Sequence, residues 1–199
     1  IEETASGIPN KIREQLYSFS QKLIEKIDYI GAGTVEFIYD LIEKKVYFME
    51  MNTRLQVEHP VSEMVSGVDL VSQQFEVAQG ANLKNLDFKL NGHAIELRVI
   101  AEKVDLNENG ELIFVPDPGR VTEVYFPEKS NVRVIQTIAS GSVVSPFYDS
   151  LVAQIVCWGR SRSDAITRLI DYLKRVRIYG ISTNLALNRA ILEDASFKK

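Results

Sequence analysis

Residues 50–63 read Glu-Met-Asn-Thr-Arg-Leu-Gln-Val-Glu-His-Pro-Val-Ser-Glu, a run in which an apolar strand passes directly into a dense set of polar side chains. The strand spans Val46 to Met51, and a second run of strand-forming residues, Thr34 to Asp40, precedes it across a short polar turn. Together these runs predict an antiparallel hairpin whose polar end continues into residues 52–63.

This hairpin predicts two facing carboxylates. If its turn centres on Glu43, then Glu36 lies directly opposite Glu50, and Asn52 points to the same face as Glu50. Like charges directly opposite each other are destabilising, whereas a Mg²⁺ or Mn²⁺ ion between them would use such hard oxygen ligands. The alternative is an ordinary hairpin with one solvated, charged face.

The segment after the hairpin predicts an anion pocket. Arg54, Gln56 and Glu58 alternate with apolar residues and would project to one side of an extended chain. A guanidinium binds a carboxylate or bicarbonate through two hydrogen bonds, an amide can donate another, and a carboxylate can serve as a general base. Pro60 predicts an irregular segment over residues 53–62, with His59 extended. The alternative is a surface loop with a local Arg–Glu pair.

The remaining patterns predict an α+β protein in which strands are grouped before helices in the second half. Apolar spacing predicts helices over residues 10–27 and 68–78, before a polar connection at 80–92. Beyond it we expect turns at 107–110 and 116–119, strands over 93–99, 120–126, 132–138 and 151–158, and helices over 163–177 and 183–193.

Composition excludes several classes of protein. The chain has 199 residues, 45% hydrophobic and 25% charged, with a net charge of -4, which excludes disorder. A pI near 5.4 argues against nucleic-acid binding by bulk charge. No apolar run approaches the roughly 20 residues that span a bilayer, so no membrane partner is expected. The lone Cys157 suits a reducing compartment. The sequence shows no initiator Met and no signal peptide, so we expect it to be a fragment. We expect the protein to be cytoplasmic, or located in the mitochondrial matrix if it is eukaryotic.

Residues 50–63 closely resemble the signature of biotin carboxylases, the ATP-grasp component of biotin-dependent carboxylases. The upstream Gly31-Ala-Gly-Thr-Val-Glu-Phe37 resembles the strand before that signature. Further matches in the same order are His93-Ala-Ile-Glu-Leu-Arg98, Pro116-Asp-Pro-Gly119, Val132-Arg133-Val134, Phe147-Tyr-Asp149 and Gly180-Ile-Ser-Thr-Asn184. The resemblance implies that residues 1–84 complete an ATP-grasp domain, an antiparallel sheet with helices. It implies that residues 85–199 form the biotin carboxylase C-terminal α+β domain.

The resemblance also implies a reaction, the carboxylation of carrier-bound biotin with MgATP and bicarbonate through carboxyphosphate. The resemblance implies that Mg²⁺ or Mn²⁺ is bound by Glu36, Glu50 and Asn52. It implies that ATP is contacted by Ile38, Glu36 and Glu50. Bicarbonate would lie on Arg54, Gln56 and the Val57 amide, and the catalytic residues would be Glu58 as general base, Arg54, and Arg133 at the biotin enolate. The implied partners are a biotin carboxyl carrier, a carboxyltransferase, the missing N-terminal half and a second copy in a homo-oligomer.

The chain departs from the family pattern in ways that limit this expectation. It lacks the N-terminal domain, the glycine-rich lid and the ATP-binding lysines, so we expect the isolated fragment to be inactive. Gln154 stands where the family usually has a lysine, and residues 103–113 form a longer, more polar segment that is expected to be a surface insertion.

Two other functions remain as alternatives. Another ATP-grasp ligase, such as a carbamoyl-phosphate synthetase, predicts an Asn-Pro-Arg type of loop, which Asn52-Thr-Arg54 does not match. A non-catalytic assembly module that retained the fold would be favoured by loss of Glu36, Glu50, Arg54 or Glu58, all of which are present. The resemblance implies that the carboxyl acceptor (an acyl-CoA, pyruvate or urea) is selected by another domain or subunit. This sequence therefore does not identify the acceptor.

Overall fold

The computed structural model describes residues 1–5, 7–83, 86 and 88–199. Its chain forms two compact units: the first is Ala5–Leu90, and the second combines Ile1–Thr4 with Asn91–Lys199. The predicted boundary between residues 84 and 85 falls outside the described residues and stays a prediction. Within the described ranges, no helix has the length and apolar character needed to cross a bilayer.

Both units mix helices with antiparallel strands, as the sequence predicts. In chain order the elements are β1 (Glu2–Glu3), α1 (Asn10–Lys26), β2 (Thr34–Asp40), β3 (Lys45–Asn52), α2 (His59–Ser66), α3 (Leu70–Ala78), β4 (His93–Ile100), β5 (Glu102–Leu106), β6 (Leu112–Pro116), β7 (Gly119–Arg120), β8 (Glu123–Tyr125), β9 (Val132–Gln136), β10 (Val143–Val144), β11 (Leu151–Gly159), α4 (Arg162–Leu173), β12 (Arg177–Tyr179) and α5 (Leu185–Glu193).

In the first unit, β2 and β3 form the predicted hairpin, but its register changes along its length. Glu36 pairs with Glu50 as predicted, whereas Phe37 pairs with Phe48, so Met49 is the extra residue of a β-bulge. The bulge places Phe48 opposite Phe37 in an edge-to-face contact with ring centroids 6.2 Å apart, and Phe37 in turn contacts Phe19 of α1. One extra residue therefore directs Glu50 to one face and Phe48 to the other.

The segment after the hairpin is more helical than the sequence predicts. Helix α2 begins at His59, so the expectation of an irregular segment to residue 62 with an extended His59 is wrong. Pro60 lies in the first turn of the helix, where its missing N–H has no intrahelical partner to lose and its fixed φ suits the helix. Asp69 caps the predicted helix α3 by accepting a hydrogen bond from the Ser72 amide at 2.8 Å.

The second unit is built on an antiparallel sheet with the strand order β1-β4-β11-β9. Ile95, Leu97 and Val99 of β4 lie in the hydrophobic core with side chains of α4, as their alternation predicts. Cys157 of β11 is buried in the same core, and this burial raises the pKa of its thiol to about 11.

Two predicted elements of the second unit are wrong in their extent. Residues 120–126 are not one strand, because β7 pairs with β10 whereas β8 pairs with β12. The helix expected over 163–177 ends at Leu173, and Arg177 begins strand β12 opposite Tyr125. Both differences arise from pairings with distant strands, which local apolar spacing does not encode. The predicted turn at 107–110 joins β5 to β6.

We expect Gly180→Ala to destabilise the second unit. Gly180 has φ +96°, and a Cβ there would overlap the Arg120 carbonyl oxygen and approach the Thr122 amide nitrogen. Conformational strain and overlap together should lower the free energy of unfolding by about 3 kcal/mol. Urea unfolding followed by the fluorescence of Trp158 measures the loss.

Gly141→Ala is the matched control, because Gly141 has φ +92° but open space around its Cβ position. It should cost only about 1 kcal/mol of conformational strain. Equal losses in the two variants would contradict the close approach at Gly180.

Candidate functional site

The facing carboxylates of the hairpin converge on a single amide. The Asn52 side chain donates through Nδ2 to Glu36 Oε1 at 2.8 Å and to Glu50 Oε1 at 3.0 Å. Gln56 Nε2 also donates to Glu36 Oε1, at 2.7 Å. The two carboxylate oxygens therefore lie on one face, within reach of a common point. The amide N–H groups that occupy this point carry the partial positive charge that offsets the repulsion.

This donor set fits a hard divalent cation. Two carboxylates and an amide oxygen are ligands typical of Mg²⁺ and Mn²⁺, which bind oxygen at about 2.1 Å, so a cation would draw the groups closer than the Asn52 nitrogen does. Rotation of the Asn52 amide by half a turn would present its oxygen instead. No group of three or more His, Cys, Asp or Glu side chains that could hold a metal ion occurs among the residues that the structure describes. A cation here would therefore need further oxygen ligands, such as phosphate or water.

Ile38 shares a face of β2 with Glu36, because the two residues are separated by one position of the strand. Its side chain is 53% exposed, which is unusual for isoleucine in a strand. An apolar surface next to the carboxylate pair is thus available to the flat face of an aromatic ring.

Arg54, Gln56 and Glu58 are brought together, although the chain that carries them is not extended. The segment bends at residues 53–54 and turns at 57–58, so the expected strand-like projection is wrong. All three side chains nevertheless line one cavity of about 570 Å³ in the first unit. His59 Nδ1 lies 2.8 Å from the Gln56 carbonyl oxygen, a contact that closes this turn.

Gln56 joins the cavity to the carboxylate pair. Its backbone lies in the turned segment, yet its side-chain amide reaches Glu36. The sequence predicted Gln56 only as a donor to an anion, and the contact with Glu36 was missed because it depends on where the turn returns the chain.

Glu63 is a second residue whose role the sequence did not predict. It is 6% exposed, and its Oε1 accepts a hydrogen bond from the Leu70 amide at 2.7 Å. The same oxygen lies 4.0 Å from His59 Nε2. Glu63 therefore fixes the start of α3 relative to α2, and the only signal in the sequence was its position at the end of the 50–63 motif.

Arg133 lies in the second unit, on strand β9, opposite Val156 of β11. Its side chain is exposed. Gln154 lies on β11 and donates through Nε2 to Glu96 Oε1 at 2.8 Å. The structure thus shows a partner for Gln154 within its own sheet.

Comparison with known proteins agrees with this architecture. Residues 96–199 match the family model described as the biotin carboxylase C-terminal domain, and residues 1–86 match that of the carbamoyl-phosphate synthase L chain ATP-binding domain. The chain belongs to the biotin carboxylase family. Biotin carboxylase 1 of Bacillus subtilis is 41% identical over 200 residues, which are 99% of this chain but 43% of that protein.

Solved biotin carboxylases have the same fold. A complex of the Campylobacter jejuni biotin carboxylase with a β,γ-ATP ligand has a TM-score of 0.89 and 38% identity, covering 98% of this chain and 42% of that one. The biotin carboxylase domain dimer of Hydrogenobacter thermophilus 2-oxoglutarate carboxylase, solved with MgADP, ADP and bicarbonate, has a TM-score of 0.89 and 36% identity over 98% of this chain and 42% of its own. The chain therefore spans less than half the length of these biotin carboxylases.

We expect Glu50→Gln to stabilise the first unit in the absence of divalent cations, because it removes one of two facing charges while keeping an acceptor for Asn52. The gain should be roughly 0.5 kcal/mol. Thermal unfolding with and without Mn²⁺ measures it: Mn²⁺ should raise the Tm of the unaltered chain more than that of the variant.

Glu14→Gln on the exposed surface of α1 removes the same charge elsewhere and should change neither the Tm nor its response to Mn²⁺. An Mn²⁺ response that is equal in the unaltered chain and in Glu50→Gln would show that Glu50 is not a cation ligand.

Proposed function

We propose that this chain supplies the metal, bicarbonate and biotin-activating groups of a biotin carboxylase, which uses MgATP and bicarbonate to carboxylate carrier-bound biotin. The observation that carries the proposal is the direct link between the Glu36–Glu50 carboxylate pair and the cavity lined by Arg54, Gln56 and Glu58. Gln56 lines the cavity with Arg54 and Glu58 and also donates to Glu36 at 2.7 Å. A phosphate bound through a cation at Glu36 and Glu50 would therefore lie next to an anion bound in the cavity.

In the proposed site, Glu36 and Glu50 hold the divalent cations, with Asn52 completing the set, and Ile38 packs against the adenine ring. The cations neutralise the ATP phosphates and thereby stabilise the charge of the transferring γ-phosphoryl group. Asn52 and Gln56 keep the two carboxylates aligned before the cation binds, which reduces the rearrangement required on binding.

Bicarbonate is proposed to bind where the turned segment precedes α2. The Arg54 guanidinium can donate two hydrogen bonds, Gln56 a third and the Val57 backbone N–H a fourth. The N-terminus of α2 begins at His59 and adds a partial positive charge at this point. Glu58 then acts as the general base that removes the bicarbonate proton, so that its oxygen can attack the γ-phosphate and form carboxyphosphate.

Arg133 is proposed to activate biotin. The ureido nitrogen is a poor nucleophile until negative charge develops on the ureido oxygen, and a guanidinium at that oxygen stabilises the charge. Carboxyphosphate decomposes to CO₂, the released phosphate takes the biotin proton, and the nitrogen then attacks CO₂. Because Arg133 serves only this second half, its loss should separate the two partial reactions.

The whole protein is proposed to combine residues 1–84, completing an ATP-grasp domain, with residues 85–199 as the C-terminal domain. It requires the N-terminal half that the chain's relatives possess, a biotin carboxyl carrier and a carboxyltransferase, and it assembles as a homo-oligomer. We propose a cytoplasmic location. The carboxyl acceptor stays open, because relatives of this chain belong to pyruvate, 2-oxoglutarate and urea carboxylases.

The match of residues 1–86 to a carbamoyl-phosphate synthase model supports an ATP-binding fold but does not favour that reaction, because residues 96–199 match the biotin carboxylase domain. A non-catalytic assembly module is disfavoured by the chemistry retained. Selection for assembly alone would not maintain two facing carboxylates on an exposed hairpin, where they repel each other.

To test the proposal, Arg133→Ser should be assayed in the complete protein that contains this chain. We expect a loss of about 3 kcal/mol in the activation free energy of biotin carboxylation, or roughly a hundredfold in rate, and a much smaller loss in bicarbonate-dependent ATP cleavage. Arg120→Ser is the control, since Arg120 lies in the separate β7–β10 sheet and donates to the Gly141 carbonyl oxygen. Equal losses in both reactions would make Arg133 structural.

A second expectation concerns the isolated chain, which should bind MgATP with a Kd weaker than the micromolar range. The hairpin provides carboxylates for the cation, while the groups that clamp the nucleotide are proposed to lie in the N-terminal half. Titration calorimetry with MgATP measures the affinity. A micromolar Kd, equivalent to about -8 kcal/mol, would show that the nucleotide site is misplaced.

A further inference from the structure

Strands β5 and β6 form a two-stranded ribbon, separate from the main sheet of the second unit. Its turn is ordered, because the Asn107 side-chain oxygen accepts hydrogen bonds from the backbone amides of Asn109 and Glu111 at 3.0 and 2.9 Å. Its base is fixed by Asp117, whose carboxylate accepts a hydrogen bond from the Ser182 amide at 2.7 Å. The segment expected to be a surface insertion is therefore a regular hairpin that is held at both ends.

One face of this ribbon is apolar and exposed. Val104 pairs with Phe114. Two positions further along, Leu106 pairs with Leu112, so all four side chains point to the same face. Leu106 is 59% exposed, Leu112 53% and Phe114 50%. Within the described residues, the hydrophobic core of the second unit contains no side chain of 102–116. An isolated two-stranded hairpin is marginal in water, so a face of this kind gains stability from a partner that packs on it.

The outer edge of β6 is open to a further strand. Residues 112–116 of β6 carry no charged side chain. In the described chain, each strand of the ribbon has only the other as its neighbour. Natural sheets commonly protect such an edge with charged residues. An uncharged edge instead suits an extended segment, whose backbone hydrogen-bonds to the strand while its side chains continue the apolar face.

The charge around this edge is negative. Residues 102–117 contain five carboxylate side chains and one cation, Lys103. The Lys103 ammonium lies 3.6 Å from Asp117 Oδ1 and offsets that carboxylate. The four other carboxylates belong to Glu102, Asp105, Glu108 and Glu111. They repel an anionic membrane surface, a nucleic acid and a second copy of the ribbon, whereas they attract a protein segment that has Lys or Arg beside its apolar residues.

We propose that the ribbon is a docking site for an extended, basic segment of a partner protein, which adds to the outer edge of β6 and packs beside Leu112 and Phe114. The inference does not depend on the proposed function, because the ribbon shares no residue with the candidate site. The apolar face and the open edge provide the contact. The carboxylates select a basic over an acidic segment and increase the rate of association.

The test measures the binding of two labelled peptides to the complete protein that contains this chain, by fluorescence anisotropy. Both peptides alternate Thr with Val, and one has paired lysines at each end where the other has paired glutamates. We expect the lysine peptide to bind at least tenfold more tightly, a difference of about 1.4 kcal/mol. Hydrogen exchange should show that its binding protects the backbone amides of residues 102–116.

Phe114→Ser removes the largest apolar side chain of the face and should weaken binding of the lysine peptide at least tenfold. Phe147→Ser is the matched control, because Phe147 is 88% exposed and lies outside the ribbon, and it should leave binding unaltered. Asp105→Asn combined with Glu108→Gln keeps the apolar face and should reduce the preference for the lysine peptide. Should Phe114→Ser fail to fold, Leu112→Lys places a positive charge beside the open edge and should weaken the same peptide.

Three results would overturn the inference. They are equal binding of the two peptides, binding of the lysine peptide that the ribbon variants leave unaltered, and protection of residues 102–116 from exchange before any peptide is added. The last result would show that the complete protein covers the ribbon with another part of its own chain or with a second copy.

Discussion

Two carboxylates that face each other across an antiparallel hairpin repel each other, and the candidate site of the first unit depends on groups that offset this repulsion. Glu36 and Glu50 are directly paired, and the amides of Asn52 and Gln56 converge on them. The bulge at Met49 makes the arrangement compatible with an apolar opposite face, because it turns Phe48 toward Phe37 while Glu50 stays opposite Glu36. A hairpin that holds two repelling charges in register is poised to gain stability from a cation.

The second unit contains a buried carboxylate within its sheet. Strand β4 is buried along most of its length, with apolar residues on one face and Glu96 on the other. The apolar face packs against α4 and provides stability, whereas the opposite face carries Glu96, Arg98 and the exposed Arg133.

The sequence alone predicted most of the elements and the Glu36–Glu50 pairing, but not the local geometry around them. Helix α1, the hairpin and the Glu36–Glu50 pairing follow from apolar periodicity and turn position, which are local properties. The bulge did not, because it depends on the packing of Phe48 against Phe37 and not on strand propensity. Helix α2 was missed because Pro60 was interpreted as a breaker, although proline is favoured in a first helical turn. The bond from Gln56 to Glu36 and the burial of Glu96 depend on the folded chain and have no local signal.

Anomalous X-ray diffraction from crystals of the complete protein grown with Mn²⁺, ADP and bicarbonate tests the central claim most directly. Data collected on both sides of the manganese absorption edge locate the cation without reference to the protein chemistry. The account predicts manganese density between the carboxylates of Glu36 and Glu50, and a planar bicarbonate on Arg54 and Gln56. Manganese bound elsewhere, with the two carboxylates still held only by Asn52 and Gln56, would contradict it.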